Sequence, residues 1–290
     1  MGAACFARRV AALAVIASVT ALAIAIAFHR TGVQTEATRA PARLAAFAAA
    51  EVGHAATAAE SGPLMCVDPG HSLTQPGMVV SVPLSEAGGP VREQELREVD
   101  INLDVAREVT RRLRARFGDQ AIVMTWGEAD GRSRTWDVLR GPAGDEQPDV
   151  IARGAFCVAE RARSVVSVHT NWFGDAANGT FTGFRDENDR ALAAAVHFTI
   201  LDAMRVIAEA PDAPFIDYGL EQGEWQLTLG FGDRDVPAVI LEPVLMSNPD
   251  EARRLVPTIA VAPDGRRAQI AAVEADALGD WIASTLLGGS

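Results

Sequence analysis

The chain has 290 residues, 49% hydrophobic and 22% charged, a composition ordinary for a globular protein and sufficient for one substantial core. Its formal net charge is -12, and the few charges before residue 45 are mostly arginines (Arg8, Arg9, Arg30, Arg39 and Arg43 against Glu36), so the remainder is more acidic still. That balance excludes the concentrated positive surface that phosphate binding needs, and no nucleic-acid partner is expected.

Residues 10–28 form an uninterrupted apolar run, preceded by Arg8-Arg9 and followed by His29-Arg30. The run is long enough to span a bilayer and also fits a long signal peptide. No small-x-small cleavage site ends it, which favours an uncleaved anchor. Positive charge on its amino-terminal side favours leaving the rest of the chain outside the cytoplasm. The expected organisation is a membrane anchor or signal segment over residues 1–30, a linker over residues 31–60 and a catalytic domain over residues 61–290. Cys5 precedes the apolar run. Cys66 and Cys157 lie in the domain, where they either pair in an oxidising compartment or serve as separate buried thiols. None of the three has metal-ligand spacing.

Within the domain, residues 64–67 read as a short buried strand that ends in the turn Asp68-Pro69-Gly70-His71. Residues 72–95 carry Pro76, Gly77, Pro83, Gly88, Gly89 and Pro90 around a β-rich piece at residues 78–82, and are expected to form a long loop with room for a hairpin. From Glu98, Leu103, Ala106, Val109, Leu113 and Phe117 recur at spacings of three and four, and Gly118 supplies a stop. A strand over residues 121–126, a helix over 148–163 and a strand over 164–169 follow. A loop rich in Gly, Asn and Thr then leads to a strand near Thr182 and a helix over 186–210, with Leu192, Val196, Ile200, Ala203 and Ile207 on one face. Residues 225–229 and 238–241 are expected as strands, and Ile270, Val273, Ala277 and Trp281 mark a closing amphipathic helix. The alternation of strand and helix predicts an α/β fold: a central mixed twisted sheet of about six strands with helices on both faces.

Three apolar runs end abruptly in a residue able to bind or serve a metal: Val67-Asp68-Pro69-Gly70-His71, Val165-Val166-Ser167-Val168-His169 and Ala238-Val239-Ile240-Leu241-Glu242. In an open sheet the carboxyl ends of adjacent strands project side chains into one crevice, so residues remote in sequence converge there. Glu98, at the start of a helix, is a fourth candidate. Two histidines, one ligating carboxylate and one further carboxylate make the inventory of a hydrolytic zinc site, in which the metal lowers the pKa of its water from about 16 to about 7. His71, Glu98 and His169 are the candidate ligands. Glu242 is the candidate proton-transfer group, because an unpaired carboxylate ending an apolar strand is otherwise costly. The competing reading gives each histidine a hydrogen-bonded structural role and Glu98 a helix-dipole role. His197, on the long helix, reads as a partly buried or surface histidine rather than a ligand.

These segments resemble the zinc-dependent N-acetylmuramoyl-L-alanine amidases of the amidase_3 type. Cys66-Val67-Asp68-Pro69-Gly70-His71 is similar to that family's opening strand and turn, and Glu98-Val99-Asp100-Ile101-Asn102-Leu103 to the segment whose glutamate is a zinc ligand. Ser167-Val168-His169-Thr170-Asn171 resembles the segment that supplies the second histidine. Pro237-Ala238-Val239-Ile240-Leu241-Glu242, with Ser247-Asn248-Pro249-Asp250 downstream, resembles the final strand bearing the catalytic glutamate and its Ser-Asn turn. All four occur in the family's order between residues 66 and 250. The stretch from His71 to Glu98 is longer than usual, so Glu93 and Glu95 compete for the second ligand; Asp100, Asn102 and Leu103 following in the family's order favour Glu98.

The resemblance implies a zinc site at the carboxyl ends of the strands and cleavage of the amide between N-acetylmuramic acid and the L-alanine of the peptidoglycan stem. Peptidoglycan is the expected substrate, Zn2+ the expected cofactor, and the space outside the cytoplasm the expected location, with membrane contact through the amino-terminal segment if it is uncleaved. An activator protein is compatible with that setting. Asp68, Asn171 and Trp172 are candidates for orienting a ligand or touching substrate. Two rivals remain open: a zinc peptidase of stem or cross-bridge peptides, and an inactive wall-binding or regulatory homologue.

Overall fold

A computed structural model describes residues 62–71, 77–84, 91–127, 146–170, 177–208, 214–232, 235–256 and 265–288. The anchor and linker expected over residues 1–60 lie outside the described residues, as do Asn171 and Trp172. In chain order the elements are β1 (Met65–Pro69), β2 (Val79–Leu84), β3 (Arg92–Arg97), α1 (Glu98–Phe117) and a 3-10 turn (Asp119–Ala121), then β4 (Ile122–Met124), α2 (Glu146–Ala159), β5 (Val165–Val168), β6 (Gly179–Phe184) and α3 (Glu187–Ala208). They continue with β7 (Ile216–Gln222), α4 (Gln226–Leu229), β8 (Ala238–Glu242), α5 (Pro249–Arg254) and α6 (Arg266–Trp281), which ends in a π-helical turn (Ile282–Leu286).

Six strands form one sheet in the order β4-β1-β5-β8-β6-β7. The first four are mutually parallel, β6 runs antiparallel to β8, and β7 is parallel to β6. The sheet is therefore mixed, with the expected strand count and helix placement. Burial of both faces explains why its strands read as nearly continuous apolar runs, since alternate side chains enter two different cores. Met65, Val67, Val166, Val168, Val239 and Leu241 face a core shared with Val105 and Val109 of α1, Leu192, Val196 and Ile200 of α3, and Ile270 and Leu278 of α6. Cys66, Val165 and Ala238 face the other core, with Phe156 and Cys157 of α2 and Leu227 of α4. Each such fully buried Val, Leu or Ile stabilises the fold by roughly 1.5–3 kcal/mol. By length and apolarity α3 passes for a membrane span, but its Leu192, Val196, Ile200 and Met204 stripe is buried in the first core.

The hairpin for which the stretch after His71 has room forms between β2 and β3, with Val79 opposite Arg97 and Leu84 opposite Arg92. One expected strand is replaced. Residues 225–229 form a helical turn, not a strand: Thr228 N and Oγ1 both donate to the Trp225 carbonyl, and Leu227 drops into the second core. The remaining strand, β7, is not among the strands expected above, although Ile216, Tyr218 and Leu220 alternate with Asp217, Gly219 and Glu221 along it. It lies at the sheet edge with little burial.

Cys66 and Cys157 form a disulfide that ties β1 to α2, with Cα atoms 5.7 Å apart. The bridge spans 91 residues of chain, for which loop-closure entropy gives about 4–5 kcal/mol of stabilisation. Reduction, or paired Cys66→Ala and Cys157→Ala substitution, should lower the melting temperature by several degrees. An unchanged melt under reductant would remove the bridge from the stability account.

Glu274 of α6 is fully buried, and no described group bonds its carboxyl. Burial raises its pKa well above the ordinary 4.5. The folded protein thus keeps a proton that the unfolded chain releases, so this group's contribution is intact below the unfolded pKa and declines as pH rises toward the folded one. Glu274→Gln should flatten that decline, seen in urea titrations as a smaller loss of unfolding free energy as pH rises above the ordinary glutamate value. An identical slope for both proteins would contradict it.

Candidate active site

Parallel register brings three strand ends to one level. Pro69 pairs with Val168, and Val168 with Leu241. Gly70 N donates to the Val168 carbonyl at 2.8 Å and His169 N to the Leu241 carbonyl at 3.0 Å. His71, His169 and Glu242 therefore emerge side by side from β1, β5 and β8. The fourth residue arrives from α1, whose first residue is Glu98. Its backbone N donates to the Met78 carbonyl at 2.8 Å while Met78 N donates to Glu98 Oε2 at 3.0 Å, so the hairpin strand β2 begins by clamping this glutamate at both ends.

His71 Nε2 lies 3.0 Å from Glu98 Oε2, and His169 Nδ1 lies 3.2 Å from Glu98 Oε1. One ligand atom from each of the three lies within 4.8 Å of the others. Ligands about 2.0–2.2 Å from a tetrahedral zinc are about 3.4 Å from one another; the two His–Glu98 separations are close to that, and the widest pair, at up to 4.8 Å, has to close for all three to share an ion. Burial by itself would raise the Glu98 pKa, but hydrogen bonds from His169 and His71 outweigh it and hold the carboxyl well below the usual carboxylate range. Burial lowers the His169 pKa, against the pull of Glu98, which favours the neutral imidazole that a metal binds. Glu98 Oε1 also faces Thr170 N at 3.3 Å and Asn102 Nδ2 at 3.4 Å. Glu242 is buried, with Oε1 4.0 Å from His169 Nδ1. Glu93 and Glu95 are exposed on the hairpin, where Glu93 accepts from Ser81 Oγ.

Asp68 lies beneath the cluster. It accepts from Thr125 Oγ1 at 2.6 Å and from Ser167 Oγ at 2.9 Å. A carboxylate only accepts, so the single Ser167 hydroxyl hydrogen is committed to Asp68. Ser167 Oγ is then left to accept from His169 Nε2, 3.1 Å away. With Nε2 engaged by Ser167, Nδ1 is the ring atom that His169 presents to Glu98 Oε1.

His197 is fully buried, not at the surface, and lies away from this cluster between Thr182 Oγ1 at 3.1 Å and Asp217 Oδ1 at 2.9 Å. It pins the edge strand β7 to α3. Sequence reasoning gave no role to Met78 or Thr125, nor to Ser167 and Thr170 beyond their place in the segment around His169. Each contributes a backbone group or a small hydroxyl whose role exists only across strand boundaries, and no spacing signal announces it.

The molecule is an α/β protein with a mixed sheet whose strand ends gather a His-Glu-His cluster that could hold a metal ion, beside a second buried glutamate. The chain belongs to the Amidase_3 family, N-acetylmuramoyl-L-alanine amidase, whose family model matches residues 65–260. It is accordingly a hydrolase acting on peptidoglycan. Among solved structures it is similar to the catalytic domain of CwlV, an N-acetylmuramoyl-L-alanine amidase from Bacillus (Paenibacillus) polymyxa var. colistinus, at 20% identity, covering 76% of this chain and 98% of that one with a TM-score of 0.52. It is also similar to amidase AmiC2 of Nostoc punctiforme, at 21% identity, 77% and 98% coverage and a TM-score of 0.51. A third is the CwlD amidase from Clostridioides difficile in complex with the GerS lipoprotein, at 16% identity, 77% and 96% coverage and a TM-score of 0.50. No curated protein matches the chain significantly in sequence.

Gly70 fits against the His169 ring so closely that a Cβ there would overlap Nε2, Cε1 and Cδ2. Gly70→Ala should displace the imidazole and weaken divalent-metal binding by roughly tenfold or more, read by isothermal titration. Wild-type affinity in a folded variant would show that the ring position does not matter.

Proposed function

We propose that His71, Glu98 and His169 hold one Zn2+ and that Glu242 carries the proton transfers of amide hydrolysis between N-acetylmuramic acid and L-alanine. The observation that carries this is the convergence of a buried, ionised Glu98 with two imidazoles, beside a second carboxylate that is not part of the trio. When bound, zinc supplies a water of lowered pKa, polarisation of the scissile carbonyl and stabilisation of the developing oxyanion.

The chain's own residues do the rest. Glu98 and the two imidazoles give a net single negative charge, which leaves a zinc site cationic and suited to an oxyanion. Asp68, through Ser167, keeps Nδ1 of His169 available. Glu242 stands at the end of β8, close enough to His169 to share the same crevice, and takes the proton of the attacking water. It returns that proton to the departing amide nitrogen, so one carboxylate serves as base and then acid. Burial around it limits competing solvent, which strengthens each electrostatic contact.

The disulfide between Cys66 and Cys157 supports action in an oxidising space outside the cytoplasm, as wall hydrolysis requires. Retention at the membrane through residues 1–30 remains part of the proposal.

Purified protein incubated with Zn2+ and muropeptides should release the intact stem with a free L-alanine amino terminus, identified by mass. Products cut within the stem would reject the bond assignment in favour of a peptidase. Glu242→Gln should lower turnover by about 10²–10⁴-fold with zinc stoichiometry retained. Undiminished turnover in that variant would move the proton transfer to another group.

A further inference from the structure

Among the described side chains of α2, Arg153 is the one charged residue, and it is buried alongside Val150, Phe156 and Cys157. Its side chain is 2% exposed and that of its partner Asp68 is 1% exposed. Arg153 Nε lies 2.8 Å from Asp68 Oδ1, and Arg153 Nη1 donates to the His71 carbonyl at 2.6 Å. None of the hydrolytic steps uses this guanidinium, yet its two nitrogens reach toward both histidines.

Each reach has a separate consequence. Asp68 is an anion removed from water, and Arg153 is the fixed cation beside it, always protonated and planar. With its charge matched, Asp68 stays an acceptor for Ser167, and Ser167 in turn accepts from His169 Nε2. Toward the other histidine, the contact is to the backbone. His71 has φ of +64°, a left-handed conformation uncommon for a side chain with a Cβ. The Arg153 bond to the carbonyl of that same residue holds the turn that presents the His71 ring to Glu98 Oε2.

We propose that Arg153 is a positioning residue for the metal centre, setting His71 through its backbone carbonyl and His169 through Asp68 and Ser167. It rests on the assignment of His71, Glu98 and His169 as zinc ligands. The fork is the essential feature: a lysine ammonium offers its charge at one point and does not span Asp68 and the His71 carbonyl in the same way.

The test is the Zn2+ affinity of apo-protein, measured by competition with a chromophoric chelator, with circular dichroism and thermal melts reporting the fold. Wild type, Arg153→Met, Arg153→Lys, Ser167→Ala and the Arg153→Lys/Ser167→Ala double variant are compared. A wild type that binds no zinc would overturn the ligand assignment itself, and this proposal with it. With wild type binding one ion, Arg153→Met should weaken binding by about 10–100-fold and Arg153→Lys by about tenfold, as loss of groups behind metal ligands does. The double variant should lose less than the product of the single losses, because both changes act on His169 through Asp68. Folded Arg153 variants within about twofold of wild type, or losses that multiply fully, would overturn the proposal. If Arg153→Met does not fold, Arg153→Lys decides by the same two criteria.

Discussion

A carboxylate only 3% exposed, that of Glu98, has to remain charged at the end of the sheet, and the surrounding elements are arranged by that requirement. An ion held out of water is tolerated only where opposite charge and hydrogen bonds replace the lost hydration. Here the replacements come from the His71 and His169 rings, the Met78 and Thr170 backbone N–H groups and the Asn102 amide. Those groups belong to the turn after β1, the entrance to the β2–β3 hairpin, α1 itself and the segment after β5. Satisfying one carboxylate therefore fixes the relative placement of four parts of the chain, and the same convergence gathers three donors that could hold a metal.

The sheet makes that convergence affordable in entropy, because β1, β5 and β8 are parallel neighbours whose ends are already at one level. Two apolar cores clamp the sheet from opposite sides, so the strand ends are carried on a rigid base. Close packing extends into the site: Gly70 has room for no side chain beneath the His169 ring. The disulfide adds a covalent tie between β1 and α2, the element that carries Arg153.

Three carboxylates near the strand ends have distinct surroundings, and their chemistry follows from them. Glu98 is kept ionised by two imidazoles, and Asp68 is engaged by Thr125, Ser167 and Arg153. Both serve as fixed acceptors. Glu242 stands beside the trio rather than within it, with Oε1 4.0 Å from His169 Nδ1. A fixed acceptor suits a ligand or its support, whereas a proton-transfer group has to alternate between charge states during one turnover. The proposed roles divide along that line.

Much of the fold was legible because its causes are local or periodic. The apolar runs of β1, β5 and β8, the three-and-four spacing of α1, α3 and α6, and the glycine after α1 all follow from burial and backbone geometry acting on neighbouring residues. The family segments around His71, Glu98, His169 and Glu242 were legible too, since strand-end chemistry leaves a motif in the chain. Tertiary structure alone decided the exposed position of Glu93 and Glu95, the helical turn at residues 226–229 and the Cys66–Cys157 bond. It alone turned Arg153, which in sequence is one more arginine on a helix, into the buried partner of Asp68. The physical reason is common to all of these: each depends on which groups meet after residues tens of positions apart are brought together, and no local propensity records such a meeting.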